Sequence, residues 1–132
     1  MYSLTETEEE IMSCVWFLHN ENESISLKSV HQRLKDSFQK NWAPQTTSTY
    51  LARMVQKQYL ELVKSGREKT YMVQIEREKY LRIVISAEAK RRGYHSPLEY
   101  VKAIETLLTQ EDEREALQKK GSNIREGATR YG

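Results

Sequence analysis

The sequence predicts a mainly helical protein that contains one small β-hairpin and continues into a C-terminal helical segment. Apolar side chains recur at helical spacing along most of the chain, and their period changes to two only between Leu60 and Ile75. The chain has 132 residues, of which 38% are hydrophobic and 30% are charged. This length and composition indicate a globular domain, either alone or with a short appendage.

The first helix is predicted from a capping box, in which Thr5 is the N-cap and Glu8 reaches back to it. The polar residues 19–23 end this helix at about Leu18, and Ile25 can then supply a short strand. The apolar stripe that would face a core consists of Ile11, Met12, Val15, Trp16 and Leu18.

Two more helices follow in the sequence. Ser26 caps the second helix, whose apolar residues repeat at helical spacing: Leu27, Val30, Leu34 and Phe38. Pro44 lies in the first turn of the third helix, where its missing N–H group has no helical partner to lose. We expect this third helix to end near Lys57.

The third helix has two faces of different chemistry. At 100° per residue, one side gathers Thr47 (through its methyl group), Leu51, Met54 and Val55. The opposite side carries Gln45, Thr49, Ala52, Arg53 and Gln56, with Thr46 and Ser48 on its flanks. A solvated face is usually filled with Glu and Lys. This one is small and mostly uncharged, and its amide and hydroxyl groups suit close contact with base edges.

A hairpin follows the third helix. Leu60 and Leu62 flank Glu61, residues 65–68 form a turn, and the second strand alternates as Tyr71, Val73 and Ile75. Three helices followed by a hairpin are typical of a winged helix-turn-helix domain. Arg67 and Lys69 would then lie at the tip of the wing, where they can contact phosphate or enter a minor groove.

Charge is distributed unevenly, although the formal net charge is only +2. Residues 1–26 contain six Glu and no Lys or Arg. Residues 27–72 contain nine Lys or Arg against three acidic residues, a balance of +6. The positive charge therefore coincides with the third helix and the hairpin, as contact with a phosphate backbone requires.

Beyond Ile75 the sequence is helical again. One helix covers residues 76–92 and ends at Gly93, and a second capping box of Ser96 and Glu99 begins another. A weaker third helix is predicted over residues 111–120, and residues 121–132 are expected to be disordered. We accordingly divide the chain into a winged-helix domain (1–75), a helical dimerisation region (76–120) and a tail (121–132).

The dimerisation region is expected to need a partner, because 45 residues with this much apolar surface cannot enclose a core. A second copy is the economical partner, since most soluble oligomers are symmetric dimers. The competing arrangement packs these helices on their own winged helix. We predict the dimer contacts to come from Tyr80, Val84, Leu98, Val101, Ile104 and Leu108.

Several functional classes are disfavoured by the residues themselves. No apolar run reaches the ~20 residues of a membrane span, and the acidic N-terminus does not resemble a signal peptide, which favours a cytoplasmic protein. Cys14 lies on an apolar helix face, and the three His residues lack ligand spacing, so no metal or cofactor is expected. Paired carboxylates, phosphate loops and nucleophile motifs are missing, so we predict no enzyme.

The chain resembles the penicillinase-repressor (BlaI/MecI/CopY) family over roughly residues 4–80. Four segments carry the resemblance: Leu4 to Trp16, Trp42-Ala43-Pro44-Gln45-Thr46, Leu51-Ala52-Arg53-Met54-Val55-Gln56-Lys57, and Tyr59-Leu60 with the hairpin. Members of this bacterial family are dimeric repressors of antibiotic-resistance or copper genes that bind palindromic operators. The resemblance implies the same class here, with Gln45, Thr46, Ser48, Thr49 and Arg53 on the reading helix.

The sequence departs from the family pattern at three places. Gln58 follows Lys57 where the family usually has glycine, so the usual left-handed helix cap is missing. The copper branch carries a C-terminal cysteine cluster, whereas this chain has only Cys14. In the β-lactam branch a transmembrane sensor and protease pathway leads to cleavage after an Asn. No Asn occurs between Trp42 and Ser122, and the comparable place reads Thr106-Leu107, which leaves the inducing signal open.

We therefore predict a repressor that binds a double-stranded DNA operator as a homodimer and that a sensor or protease would release. A winged helix used only for contacts between proteins is the alternative, because a fold alone does not define a function. The expected DNA contacts are Trp42, Gln45, Thr46, Ser48, Thr49, Arg53, Lys57, Arg67 and Lys69.

Overall fold

The computed structural model describes residues 3–121, and this part of the chain forms five helices and one antiparallel hairpin. The helices are α1 (Glu6–Asn20), α2 (Leu27–Phe38), α3 (Pro44–Gln56), α4 (Arg77–Arg91) and α5 (Pro97–Gly121). The strands are β1 (Leu60–Ser65) and β2 (Glu68–Val73). The order of three helices and then a hairpin confirms the predicted winged helix-turn-helix.

The described residues divide into two compact units, with the boundary between Leu81 and Arg82. In the first unit α1, α2 and α3 pack against one another around a common core. Its fully buried side chains include Ile11, Met12, Val15, Val30, Leu34, Leu51 and Met54. These residues come from the predicted stripes of all three helices, so helical periodicity identified the helical part of this core, which also includes Tyr59 and Leu60.

The helix starts agree with the capping patterns. The Thr5 hydroxyl accepts the Glu8 N–H group, and the Glu8 carboxylate accepts the Thr5 N–H group. Ser26 caps α2 through the Ser29 N–H group, and Pro44 occupies the first turn of α3. Helix α1 continues to Asn20, beyond the predicted end at Leu18, because polar residues without Pro or Gly do not stop a helix.

The hairpin register pairs Leu60 with Val73 and Ser65 with Glu68. Gly66 turns the chain at φ +64°, a left-handed conformation that glycine adopts without a steric penalty. Two strand predictions were wrong. Ile75 lies beyond the end of β2, and its carbonyl accepts the Trp16 indole N–H at 2.9 Å. Ile25 forms no strand and contributes a single bond, in which its carbonyl accepts the Tyr71 N–H at 2.9 Å.

The second unit contains the C-terminal part of α4 and all of α5. Gly93, at φ +86°, ends the turn after α4, and the Glu99 N–H donates to the Ser96 hydroxyl at the start of α5. Helix α5 is continuous over 25 residues, whereas two helices were predicted. Its middle contains strong helix formers and an ion pair between Glu111 and Arg114, and nothing there interrupts the backbone hydrogen bonds.

Within residues 3–121, no helix is both long and apolar enough to cross a membrane. The tail predicted to be disordered begins at residue 121, and its residues from 122 onward lie outside the described part of the chain.

Candidate nucleic-acid interface

Helix α3 presents the two faces that its sequence predicts. The side chains of Thr47, Leu51 and Met54 are fully buried against the core, and Val55 is half-buried. The opposite face is exposed over its whole length and consists of Gln45, Thr49, Ala52, Arg53 and Gln56, with Thr46 and Ser48 half-buried at its sides. A mostly uncharged strip about three turns long is therefore open to a flat or grooved partner.

Thr49 illustrates the hydrogen-bonding groups that this face carries. Its hydroxyl donates to the backbone carbonyl of Gln45 at 3.1 Å, which uses its single proton within the helix. Because Thr49 is exposed, its hydroxyl oxygen can still accept a hydrogen bond and its methyl group can form apolar contacts. Such a group can accept a hydrogen bond from a base edge or contact a thymine methyl.

Thr47 was assigned to the apolar side through its methyl group, but its hydroxyl has a role of its own. The Trp42 indole N–H donates to this hydroxyl at 2.8 Å, and His31 Nδ1 lies 2.8 Å from the same oxygen. The oxygen thereby joins α2, α3 and the segment between them. Trp42, predicted as a DNA contact, is half-buried, and its indole N–H is bonded to a side chain of α3.

An aromatic row runs along one flank of α3. The rings of Trp42 and Tyr50 stack with centroids 5.5 Å apart and planes 21° apart. The Arg53 guanidinium carbon lies 4.8 Å from the centre of the Tyr50 ring, and Lys40 Nζ lies 5.4 Å from the centre of the Trp42 ring. Sequence reasoning missed Tyr50 and Lys40. The spacing of three between Tyr50 and Arg53 was an available signal, because such residues are neighbours on a helix surface.

Lys57 does not point outward as predicted. Its ammonium lies 2.6 Å from the buried carboxylate of Glu8 and donates to the backbone carbonyl of Ser3 at 3.1 Å. Burial raises the pKa of Glu8, but the hydrogen bonds and charge of Lys57 and the Thr5 N–H outweigh it and lower the pKa overall. Because Lys57 neutralises a buried anion, we withdraw it from the predicted phosphate contacts.

The wing concentrates positive charge at its tip. Arg67 and Lys69 are exposed on either side of Glu68, and Lys69 pairs directly with Lys64 across the two strands. Like charges placed opposite each other destabilise a strand pair. A phosphate bound between them would remove that repulsion, so the tip is suited to an anionic partner.

The predicted dimer contacts fall into two groups. Tyr80 is buried in the first unit, where its ring packs against Trp16 and Tyr59 and its hydroxyl donates to Glu9. It is therefore unavailable to a second chain, and we remove it from the set. Val84 is half-buried, and the α5 side chains are well exposed: Leu98 62%, Val101 40%, Ile104 37% and Leu108 60%. Leu107 and Leu117, at 62% and 68% exposed, are further apolar side chains of α5 that the prediction did not include.

Within residues 3–121, no three His, Cys, Asp or Glu side chains are grouped closely enough to hold a metal ion. Cys14 is buried, and its desolvation raises the thiol pKa to about 12. A thiol with so high a pKa is a poor nucleophile and a poor metal ligand at neutral pH.

Two comparisons with known proteins found matches to this chain. The family model described as Penicillinase repressor matches residues 4–121. Seven chains of solved structures match. One is the solution structure of Bacillus licheniformis BlaI, in its monomeric form in complex with the blaP half-operator. It is 28% identical, covers 60% of this chain and 89% of its own, and superposes with a TM-score of 0.48. No curated protein matches the sequence.

Proposed function

The chain belongs to the penicillinase repressor family, and we propose that it represses transcription by binding, as a homodimer, an operator made of two inverted half-sites. The exposed, mostly uncharged face of α3 is the observation that carries this proposal. Side chains such as Gln45 and Thr49 can form specific hydrogen bonds with base edges, which long charged side chains in the same places would obstruct.

Electrostatics supports DNA as the partner of this face. Two of the lysines around α3 are already neutralised, Lys40 by Glu10 at 2.9 Å and Lys57 by Glu8 at 2.6 Å. Arg53, at the edge of the exposed face of α3, and the wing residues Arg67 and Lys69 remain exposed. Phosphate contacts at the edges would orient the protein, while contacts at the centre would read the sequence.

The apolar face of α5 supports the homodimer. Leu98, Val101, Ile104 and Leu108 recur every three or four residues, so they share one side of the helix. Each is at least 37% exposed in the single chain. A second copy that covers this strip would bury it without any change in the winged helix, and its two-fold symmetry would place two reading helices on one duplex.

Footprinting on the DNA upstream of the protein's own gene and its neighbours tests the proposal. We expect two protected half-sites in inverted orientation, with centres roughly 34 Å, or one helical turn, apart. Binding to a scrambled duplex is the control, and it should weaken steeply between low and moderate salt because it depends on released counterions. A protein that protects no site and binds no duplex at either salt would instead support a role in protein contacts alone.

A further inference from the structure

The side chain of Arg53 is long and exposed, and its charged end lies against an aromatic ring. Its guanidinium lies over the Tyr50 ring, and within residues 3–121 it has no carboxylate at ion-pair distance. An aromatic face attracts the cation without neutralising it. The charge therefore stays available to a phosphate, in contrast to Lys40 and Lys57.

The Tyr50 ring is in turn supported by Trp42. The two rings lie nearly parallel, 5.5 Å apart between centroids. Trp42 precedes α3 and is not part of a helix, so the helical backbone does not fix its ring. Stacked aromatic pairs have a preferred geometry, and a displaced indole would leave one side of Tyr50 unsupported.

Thr47 determines the orientation of the indole. Its side chain is fully buried, and its hydroxyl oxygen accepts the Trp42 N–H at 2.8 Å. An indole nitrogen can only donate, so the direction of this hydrogen bond is unambiguous. Because Thr47 is packed inside the core and anchored on α3 itself, it connects the position of the ring to the reading helix.

We propose that Thr47, Trp42 and Tyr50 form a positioning relay that directs Arg53 toward a DNA phosphate. This inference rests on the proposed DNA-binding function and assigns new residues to it. The relay residues need not contact the nucleic acid. They reduce the number of orientations that Arg53 must give up when it binds, which strengthens the contact by preorganisation.

A double-mutant cycle on a mixed-sequence duplex of about three helical turns separates this role from direct contact. Tyr50→Ala should weaken binding about 2- to 12-fold, the range expected when one flexible side chain must be ordered on binding. The same substitution in an Arg53→Ala background should have no further effect. Tyr50→Phe, which retains the ring, should bind as tightly as the parent.

Thr47 provides the second arm. Thr47→Val preserves the shape of the side chain but removes the acceptor for the Trp42 N–H, and it should reproduce the effect of Tyr50→Ala. Thr47→Ser restores the hydroxyl and should recover the parent affinity. NMR relaxation of the Arg53 Nε–Hε group, measured without DNA, should show a lower order parameter in Tyr50→Ala and Thr47→Val, and an unchanged one in Tyr50→Phe.

The outcomes distinguish the relay from the function on which it rests. If the parent binds the duplex but the Tyr50→Ala loss persists in the Arg53→Ala background, only the relay is overturned. The same holds if the Arg53 order parameter is unchanged in both Tyr50→Ala and Thr47→Val. A parent protein that binds no duplex at any salt would overturn the proposed function itself.

Discussion

Gln58 adopts a left-handed conformation, with φ 69°, just after α3 ends. The family resemblance places glycine at this position. In this chain Gln58 adopts the left-handed conformation instead. A side chain with a β-carbon is strained in this region, while glycine is not. We expect Gln58→Gly to raise the free energy of unfolding by about 0.5–1 kcal/mol, measured by urea denaturation.

Gln56→Gly is the matched control for this variant. Gln56 is also exposed but lies inside α3, where glycine costs about 1 kcal/mol of helix stability. The same substitution at the two positions should therefore change the free energy of unfolding in opposite directions. If both destabilise the protein, the left-handed conformation at Gln58 imposes no strain.

Glu8 and Lys57 form the second residue-scale feature, a buried anion held by a single partly buried cation. Removing one partner of such a pair leaves an uncompensated charge. We expect Lys57→Met to lower the free energy of unfolding at pH 7 by about 3 kcal/mol. The double variant Glu8→Gln with Lys57→Met should recover most of this loss, since neither charge is then present.

The pH dependence of the free energy of unfolding provides a second test of this ion pair. In the parent the folded pKa of Glu8 is lowered, so its contribution is present above the ordinary carboxyl pKa and is lost as pH falls through the folded pKa. In Lys57→Met the burial that raises the pKa is no longer opposed by the ammonium. In the variant, Glu8 can be protonated at a higher pH than in the parent. The difference in free energy of unfolding between the two proteins should therefore shrink as pH falls from 7 to about 4. A deficit that is constant over this range would contradict the assigned ion pair.

At the scale of the element, we expect the contacts of α3 that read the base sequence to differ from those that hold the DNA backbone. Gln45 lies on the exposed face and can form a bidentate contact with a base, whereas Arg53 lies at its edge beside Tyr50. Gln45→Ala should cost on the order of 1–3 kcal/mol on the operator and change the base preference at one position of each half-site. Competition binding with single-base variants of the operator measures this preference.

Arg53→Ala is expected to behave differently because a phosphate contact carries no sequence information. It should weaken all duplexes alike and reduce the slope of log affinity against log salt by about one. Equal losses for both variants on operator and random DNA would show that the two roles are wrongly assigned.

Helix α5 shows how the length of an element affects its use. Its 25 residues form one rod, so the exposed apolar strip from Leu98 to Leu108 has a single, uninterrupted direction. Two shorter helices, as predicted from the sequence, would have introduced a bend between Leu108 and residue 111, just beyond this strip. The continuous form is the better surface for a parallel or antiparallel copy of itself.

At the scale of the whole molecule, the proposed dimer should control operator affinity. Ile104→Glu places a charge in the middle of the apolar strip and should leave a folded monomer. Its operator affinity should fall by a factor on the order of 10²–10⁴, because the second half-site no longer benefits from a high effective concentration. Sedimentation equilibrium and matched binding curves measure both properties.

Thr106→Glu is the control for this variant. Thr106 is exposed on the opposite side of α5, so the same new charge should change neither the oligomeric state nor the affinity. An Ile104→Glu protein that remains dimeric, or a monomer that binds as tightly as the parent, would contradict the proposed assembly.

For an isolated winged helix, truncation should follow Leu81 rather than Ile75, because Tyr80 is part of the first unit's core.

The sequence by itself determined the features that depend on local spacing. The Thr5 and Ser26 caps, Pro44 at the start of α3, the turn at Gly66 and the two faces of α3 all follow from residues close together in the chain. Capping, turn geometry and helical periodicity act over a few residues, so they can be predicted without knowledge of the packing.

Only the tertiary structure decided which polar groups meet. Lys57 and Tyr80 were predicted to face DNA and a second chain, but they contact Glu8 and Glu9, which lie far away in the sequence. Likewise, no local pattern indicates that the Thr47 hydroxyl receives the Trp42 indole and thereby supports Tyr50 and Arg53. Buried polar groups must find partners wherever the packed elements bring them, and that pairing is a property of the assembled fold.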